Sequence, residues 1–153
     1  MSFRTRRRVE FRDTDAAGIV HFSVFFPWME SAEHEMLRSV GIDVLPPHPD
    51  PSDPAAAPDY QHRPITWPRV RAACDYTAAA RFEDWIEVDA RVQRIGRSSV
   101  EYAFRFSRQQ RDGQAQAVAE GSIVTVCCRL HPGGGLDKVA IPQDIREKLA
   151  TLQ

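Results

Sequence analysis

The chain has 153 residues, 20 Lys and Arg against 21 Asp and Glu, a formal net charge of −1 and 42% hydrophobic residues. That length suits a single domain, 1–153, with a substantial core. The charge balance excludes a nucleic-acid binder working through bulk charge, and no apolar run approaches the roughly 20 residues of a membrane span. The basic start, Met1 to Arg8, lacks an apolar signal-peptide core. Cys74, Cys127 and Cys128 sit in no metal or redox spacing, which fits a reducing cytoplasm.

In chain order, Thr5, Val9 and Phe11 predict a first strand, with Arg4, Arg6 and Arg8 on one solvated face. Arginine supplies 18 of the 20 positive residues, so this basic start reflects a general bias rather than a nucleic-acid patch. Phe22 to Val40 predicts one long helix: Phe22, Phe25, Phe26, Met29, Met36 and Val40 recur at helical spacing. Ser23 lies near its start and Gly41 marks its stop. Pro27 belongs in the first turn, where a missing N–H matters least. Glu33 is a charge on the apolar stripe. Such a carboxylate serves either as a polar group in a substrate pocket or as one half of a pair at a subunit contact; the pair is the commoner arrangement.

Eight of the eleven prolines lie between Pro46 and Pro68, which predicts an irregular loop over about 44–67, either a lid or a surface insertion. Beyond it the period becomes two. Val70, Ala72, Cys74 and Tyr76 form one apolar face, as do Ile86, Val88, Ala90 and Val92, and then Val100, Tyr102, Phe104 and Phe106. A fourth strand runs from about Gln114 to Leu130 and takes in Cys127 and Cys128 as core residues. Turns fall at Ile95-Gly96-Arg97 and Asp112-Gly113, and Pro142 to Leu152 predicts a short final helix. The class is α+β: about five antiparallel strands against one long helix.

Several motifs fail. His34-Glu35-Met36-Leu37-Arg38 has Arg38 where a zinc-protease helix needs its second His. Gly96-Arg97-Ser98-Ser99-Val100 lacks the closing Gly of a nucleophile elbow, and Gly133-Gly134-Gly135 is followed by no Lys-Ser/Thr pair. What remains is Phe11-Arg12-Asp13-Thr14-Asp15-Ala16-Ala17-Gly18-Ile19-Val20-His21-Phe22, joining the first strand to the helix. Its carboxylates stand just ahead of a helix N-terminus, whose free N–H groups can stabilise an oxyanion. On spacing alone two readings stand equal: a catalytic carboxylate, or Asp caps with Gly18 permitting a turn.

Residues 13–41, DTDAAGIVHFSVFFPWMESAEHEMLRSVG, resemble the 4-hydroxybenzoyl-CoA thioesterase family of hot-dog-fold proteins, with a D-x-D-x-x-G-[IV]-V signature before an aromatic-rich helix. The likeness extends over roughly residues 5 to 130, through Arg81-Phe82-Glu83-Asp84 and Arg94-Ile95-Gly96-Arg97-Ser98-Ser99. It implies a hot-dog fold, a sheet wrapped around one long helix, and hydrolysis of an acyl-CoA thioester without metal or bound cofactor. Asp15 is then the catalytic carboxylate, nucleophile or general base, and the Phe22 backbone N–H polarises the thioester carbonyl. His21 is adjacent, as a residue supporting the site or touching the acyl group, and Asp13 holds the loop. Arg97, with Arg94 and Ser98, matches the region where relatives bind the nucleotide end of CoA, and Gly18 joins the substrate-binding set. The resemblance further implies a homodimer or homotetramer with sites between subunits. Two other readings remain: a hot-dog hydratase or dehydratase using His21, and an acyl-CoA-binding protein without catalysis.

Overall fold

Strict alternation along Trp85–Ile95 (β4) and Ser99–Gln109 (β5) directs Ile86, Val88, Ala90, Val92, Val100, Tyr102, Phe104 and Phe106 to one face, and all are at most 2% exposed. A computed structural model describes residues 2–44, 65–110, 113–131 and 133–153. In it β4 and β5 are central strands of an antiparallel five-stranded sheet, with Phe3–Arg8 (β1) beyond β4, and Ala115–Val126 (β6) then Arg69–Tyr76 (β3) beyond β5. Ile65–Thr66 (β2), Cys128–Leu130 (β7) and Leu136–Lys138 (β8) make a small second sheet. Among the described residues no helix is long and apolar enough to cross a membrane.

The long helix α1, Phe25–Ser39, lays Met29, Ala32 and Met36 on the sheet with no exposed surface. Gly121 of β6 makes this approach possible: a Cβ there would collide with the Met29 sulfur and stand 3.2 Å from the Ala73 carbonyl. A separate 3-10 turn, Phe22–Val24, leads into α1, so the predicted helix from Phe22 is really two segments. Pro27 is the third residue of α1, in the first turn as its chemistry requires. At the far end Gly41 takes φ +70°, the Ile42 amide returns to the Leu37 carbonyl at 3.0 Å, and Lys148 donates to the Gly41 carbonyl at 2.7 Å. Lys148 belongs to the final helix α2, Gln143–Ala150, for which Pro142 is the N-cap.

Four expectations need correction. The first strand ends at Arg8: Phe11 instead opens a 3-10 turn and is 79% exposed, because Asp13 Oδ2 accepts the Glu10 amide at 2.8 Å and bends the chain. β3 has no fully buried face, since it is an edge strand bonded only to β6; Val70 is 63% and Tyr76 45% exposed. The fourth strand divides, with β6 ending at Val126, Cys127 crossing over and β7 joining the second sheet; both Cys127 and Cys128 are buried. Most of the proline-rich stretch lies outside the described residues, and its end, Ile65–Thr66, is a strand paired with β7 rather than loop. On β1 the alternation holds. Arg4, Arg6 and Arg8 face outward, Arg4 to Asp89 and Arg8 to Glu83, with Arg6 over the Trp85 ring, while Arg7 turns in to Glu35 at 2.7 Å.

Glu33 is paired within its own chain. It is 1% exposed and accepts from Arg69 Nη2 of β3 at 2.9 Å; the same nitrogen lies 3.3 Å from Glu30 and 3.2 Å from His34 Nε2. Burial pushes the Glu33 carboxyl up to about 7 against the opposing pull of Arg69, and Glu30 adds to the rise. Since the unfolded chain releases this proton at lower pH, Glu33 stabilises the fold most below about pH 4.5. That contribution is lost as pH rises to about 7. Relative to Glu33→Gln, the wild type should therefore lose on the order of 3 kcal/mol across that window, read from urea unfolding at several pH values. Parallel curves for the two proteins would contradict it. Gly121→Ala should cost about 1–3 kcal/mol in the same assay, the usual scale of overpacking.

Candidate active site

After β1 the chain makes two successive turns, both fixed by its own carboxylates. Asp13 closes the first by capping the Glu10 amide, and its carbonyl accepts the His21 amide at 2.8 Å. In the second, Asp15 Oδ1 accepts the Ala17 amide at 2.8 Å, the Gly18 amide returns to the Asp15 carbonyl at 2.9 Å, and the Asp15 amide bonds the Ile19 carbonyl at 2.9 Å. Gly18 closes that turn at φ +73° with open space where a Cβ would stand, so backbone conformation selects glycine here. The loop is fastened to the body by the Val20 amide on the Ala80 carbonyl at 2.9 Å and by a bridge between Ile19 and Arg81.

The result is a half-buried Asp15 with one oxygen engaged and Oδ2 without a hydrogen bond among the described residues. His21 is the N-cap of the following turn: its Nδ1 accepts from the Ser23 amide at 3.3 Å and lies 2.7 Å from Ser23 Oγ. With Nδ1 accepting, the neutral ring carries its proton on Nε2. The His21 ring also leans on Phe22, centroids 4.4 Å apart, and the Phe22 ring is 62% exposed. The Phe22 N–H donates to no group among the described residues, so a polarised donor stands unused at the helix entrance. Both ends of the predicted chemistry, the Asp15 carboxylate and the Phe22 amide, thus lie on one braced loop. The other carboxylate, Asp13, is spent on the brace.

Sequence inspection missed Tyr76 here. Its spacing predicts a residue of a buried strand face, yet from the end of β3 its hydroxyl donates to the Phe22 carbonyl at 2.8 Å and its ring packs on Phe25 at 5.2 Å. Nothing in its spacing signals this, because the contact joins residues 54 apart.

Arg97, Arg94 and Ser98 lie at the opposite end of the sheet. The β4–β5 turn closes through the Gly96 amide on the Ser99 carbonyl at 2.8 Å, and a Cβ on Gly96 would meet Ser99 Oγ at 2.7 Å. Arg97 is exposed beside a shallow depression of about 430 Å³ lined also by Ser98, Ser99, Lys138 and Ala140. Lys138 is a second cation that the sequence did not single out; β8 brings it there. Ser98 is 9% exposed, with its carbonyl accepting the Cys127 amide at 2.7 Å. Arg94 turns instead toward Glu101, 3.9 Å away. The Asp15 loop is bonded to Ala80 and Arg81, just before β4, whereas Arg97 follows its end. The 11 residues of β4 span about 33 Å, ten steps of some 3.3 Å. One chain therefore does not bring Asp15 and Arg97 together. Glu33, farther along α1, is engaged with Arg69 as described. No group of three or more His, Cys, Asp or Glu side chains among the described residues is placed to hold a metal ion.

Comparison with known proteins matches residues 17–115 to the family model described as the thioesterase superfamily. A protein of Prochlorococcus marinus (strain MIT 9313) named 1,4-dihydroxy-2-naphthoyl-CoA hydrolase is 28% identical over 101 residues, 66% of this chain and 64% of that protein. Among solved structures, a 1,4-dihydroxy-2-naphthoyl-CoA thioesterase from Synechocystis superposes with a TM-score of 0.76 at 23% identity, covering 99% of this chain and 98% of that one. The 4-hydroxybenzoyl CoA thioesterase from Pseudomonas sp. strain CBS-3 does so with 0.74 at 21%, covering 96% and 98%. The two structures share the hot-dog fold with this chain.

Proposed function

On the premise that this chain belongs to the thioesterase superfamily, we propose that it hydrolyses an acyl-CoA thioester to the free acid and CoA, with Asp15 as the catalytic carboxylate. The observation that carries this reading is the presence, on one braced loop, of an Asp15 oxygen and a Phe22 N–H that are both unengaged among the described residues. The thioester carbonyl accepts from the Phe22 amide, which stabilises negative charge as the tetrahedral intermediate forms. Asp15 either takes a proton from the attacking water or attacks the carbonyl itself, giving an anhydride that water then cleaves. In both routes the C–S bond breaks and CoA leaves as a thiolate, and no metal or further cofactor takes part. His21 supports the site as cap of its turn. The free Asp15 oxygen, rather than His21, is what favours hydrolysis over the hydratase reading.

Arg97 and Lys138 suit the phosphates at the nucleotide end of CoA, where Arg contributes paired hydrogen bonds and Lys a point charge. Ser98 and Gly18 contribute backbone to the surfaces that receive substrate, and Arg94 lies at the edge. Because Asp15 and Arg97 stand at opposite ends of one sheet, the working unit is a homodimer, or a tetramer of two such dimers. Edge strand β3, bonded on one side and carrying exposed Val70, is the surface on which two copies meet. The setting is cytoplasmic, consistent with three unpaired cysteines.

Turnover should be sought over short, medium, long and aromatic acyl-CoAs, with aromatic ones first because the named relatives act on them. Asp15→Asn should lose about 10²-fold or more in kcat, the scale of a general acid–base group; unchanged hydrolysis would overturn the assignment. Arg97→Ala with Lys138→Ala should raise KM about tenfold while leaving kcat near wild type, as expected for remote phosphate contacts. In sedimentation the protein should run above one 17.3 kDa chain; an active monomer would contradict the shared site.

A further inference from the structure

The helix entrance that presents the Phe22 amide is held from two sides, and only one of them belongs to the Asp13–Phe22 loop. On the loop side, His21 caps the Ser23 amide, and the Val24 amide returns to the His21 carbonyl at 3.0 Å. On the other side stands Tyr76, whose hydroxyl donates to the Phe22 carbonyl at 2.8 Å from the last residue of β3. The Tyr76 backbone is itself fixed by pairing with Ala119 of β6, and the next amide, Thr77, bonds the Val118 carbonyl at 2.9 Å. Its ring meets Phe25 at 65°, and Phe25 in turn meets Phe106 of the core at 5.2 Å. A phenol anchored at its backbone, ring and hydroxyl is a rigid strut between sheet and turn.

We propose that Tyr76 is a positioning residue for thioester hydrolysis: its hydroxyl, by holding the Phe22 carbonyl, fixes the orientation of the turn that aims the Phe22 N–H at the substrate oxygen. This rests on the hydrolase reading above and adds the residue that sets its oxyanion geometry. The Phe22 ring carries no donor, and the N–H belongs to the His21–Phe22 peptide, one peptide before the carbonyl that Tyr76 holds, so its aim is set by the conformation of the turn that joins the two. Donors of this kind stabilise a transition state only when held at the place the oxyanion will occupy. The turn is a 3-10 segment with few bonds of its own, so a side-chain strut has a large share in fixing it. Tyr76 stays protonated as a donor throughout the neutral range.

The test is Tyr76→Phe, which keeps the ring on Phe25 and removes only the hydroxyl. Two measurements are made on the full chain. Amide hydrogen exchange should rise about tenfold at Ser23 and Val24, the scale of one net hydrogen bond, with Met29 to Leu37 of α1 unchanged. On an acyl-CoA that the wild type turns over, kcat should fall about tenfold with KM within about twofold. Unchanged exchange at the turn overturns the strut. Raised exchange with wild-type kcat, or a loss confined to KM, overturns the positioning role. A wild type inactive on every thioester fails the hydrolase reading instead, and is distinguished because the exchange measurement does not depend on turnover.

Discussion

The helix entrance at the candidate site depends on how closely α1 approaches the sheet. The Met29 side chain occupies the place where a Cβ on Gly121 would be, so one missing methyl sets the depth of the helix. Once α1 is seated, its entrance has a fixed position relative to β3 and to the loop after β1. The Tyr76 strut and the direction of the Phe22 amide, unpaired among the described residues, depend on that placement, and the Asp15 turn, fixed by its own bonds, is set beside it. Apolar burial drives the seating, with Met29, Ala32 and Met36 fully enclosed against the inward faces of β4 and β5. The polar groups then fix what apolar contact leaves loose, namely the rotation and ends of the helix.

Edge strand β3 is the second structural theme. The helix holds it at both ends: Arg69 is grasped by Glu30, Glu33 and His34, and Tyr76 reaches the Phe22 carbonyl. A strand so anchored on one face still offers an edge unpaired among the described residues, and Val70 stands exposed along it. The Glu33–Arg69 pair has a cost in desolvation, which is why its carboxyl titrates so high. What it provides is a defined start for β3, next to the irregularity between Arg69 and Arg71. The same strand therefore joins helix orientation, oxyanion geometry and the proposed subunit contact.

Much of this was legible in the sequence because side-chain period is a local property. The alternation of Ile86 to Val92 and of Val100 to Phe106 identified both central strands, and the Phe25, Met29 and Met36 spacing identified the helix face. Position in the sheet is not local. The alternation of Val70 to Tyr76 is as regular as the others, yet that strand lies at the edge and is half exposed. At the site, Asp15, Gly18 and the helix start were legible because they are consecutive. Tyr76 and Lys138 were not, because they arrive from distant strands, and Glu33 was legible as an anomaly but not its partner, 36 residues away.

The central claim is that hydrolysis uses Asp15 from one copy of the chain and the Arg97 end of another. The most direct measurement mixes two impaired proteins, Asp15→Asn and Arg97→Glu, lets subunits exchange, and follows acyl-CoA hydrolysis at substrate far below KM, where weakened phosphate binding lowers the rate in full. In a shared-site dimer half of the assemblies are mixed, and each mixed dimer rebuilds one intact site, so activity should recover to about a quarter of wild type. A mixture no more active than the average of its two components would contradict the account.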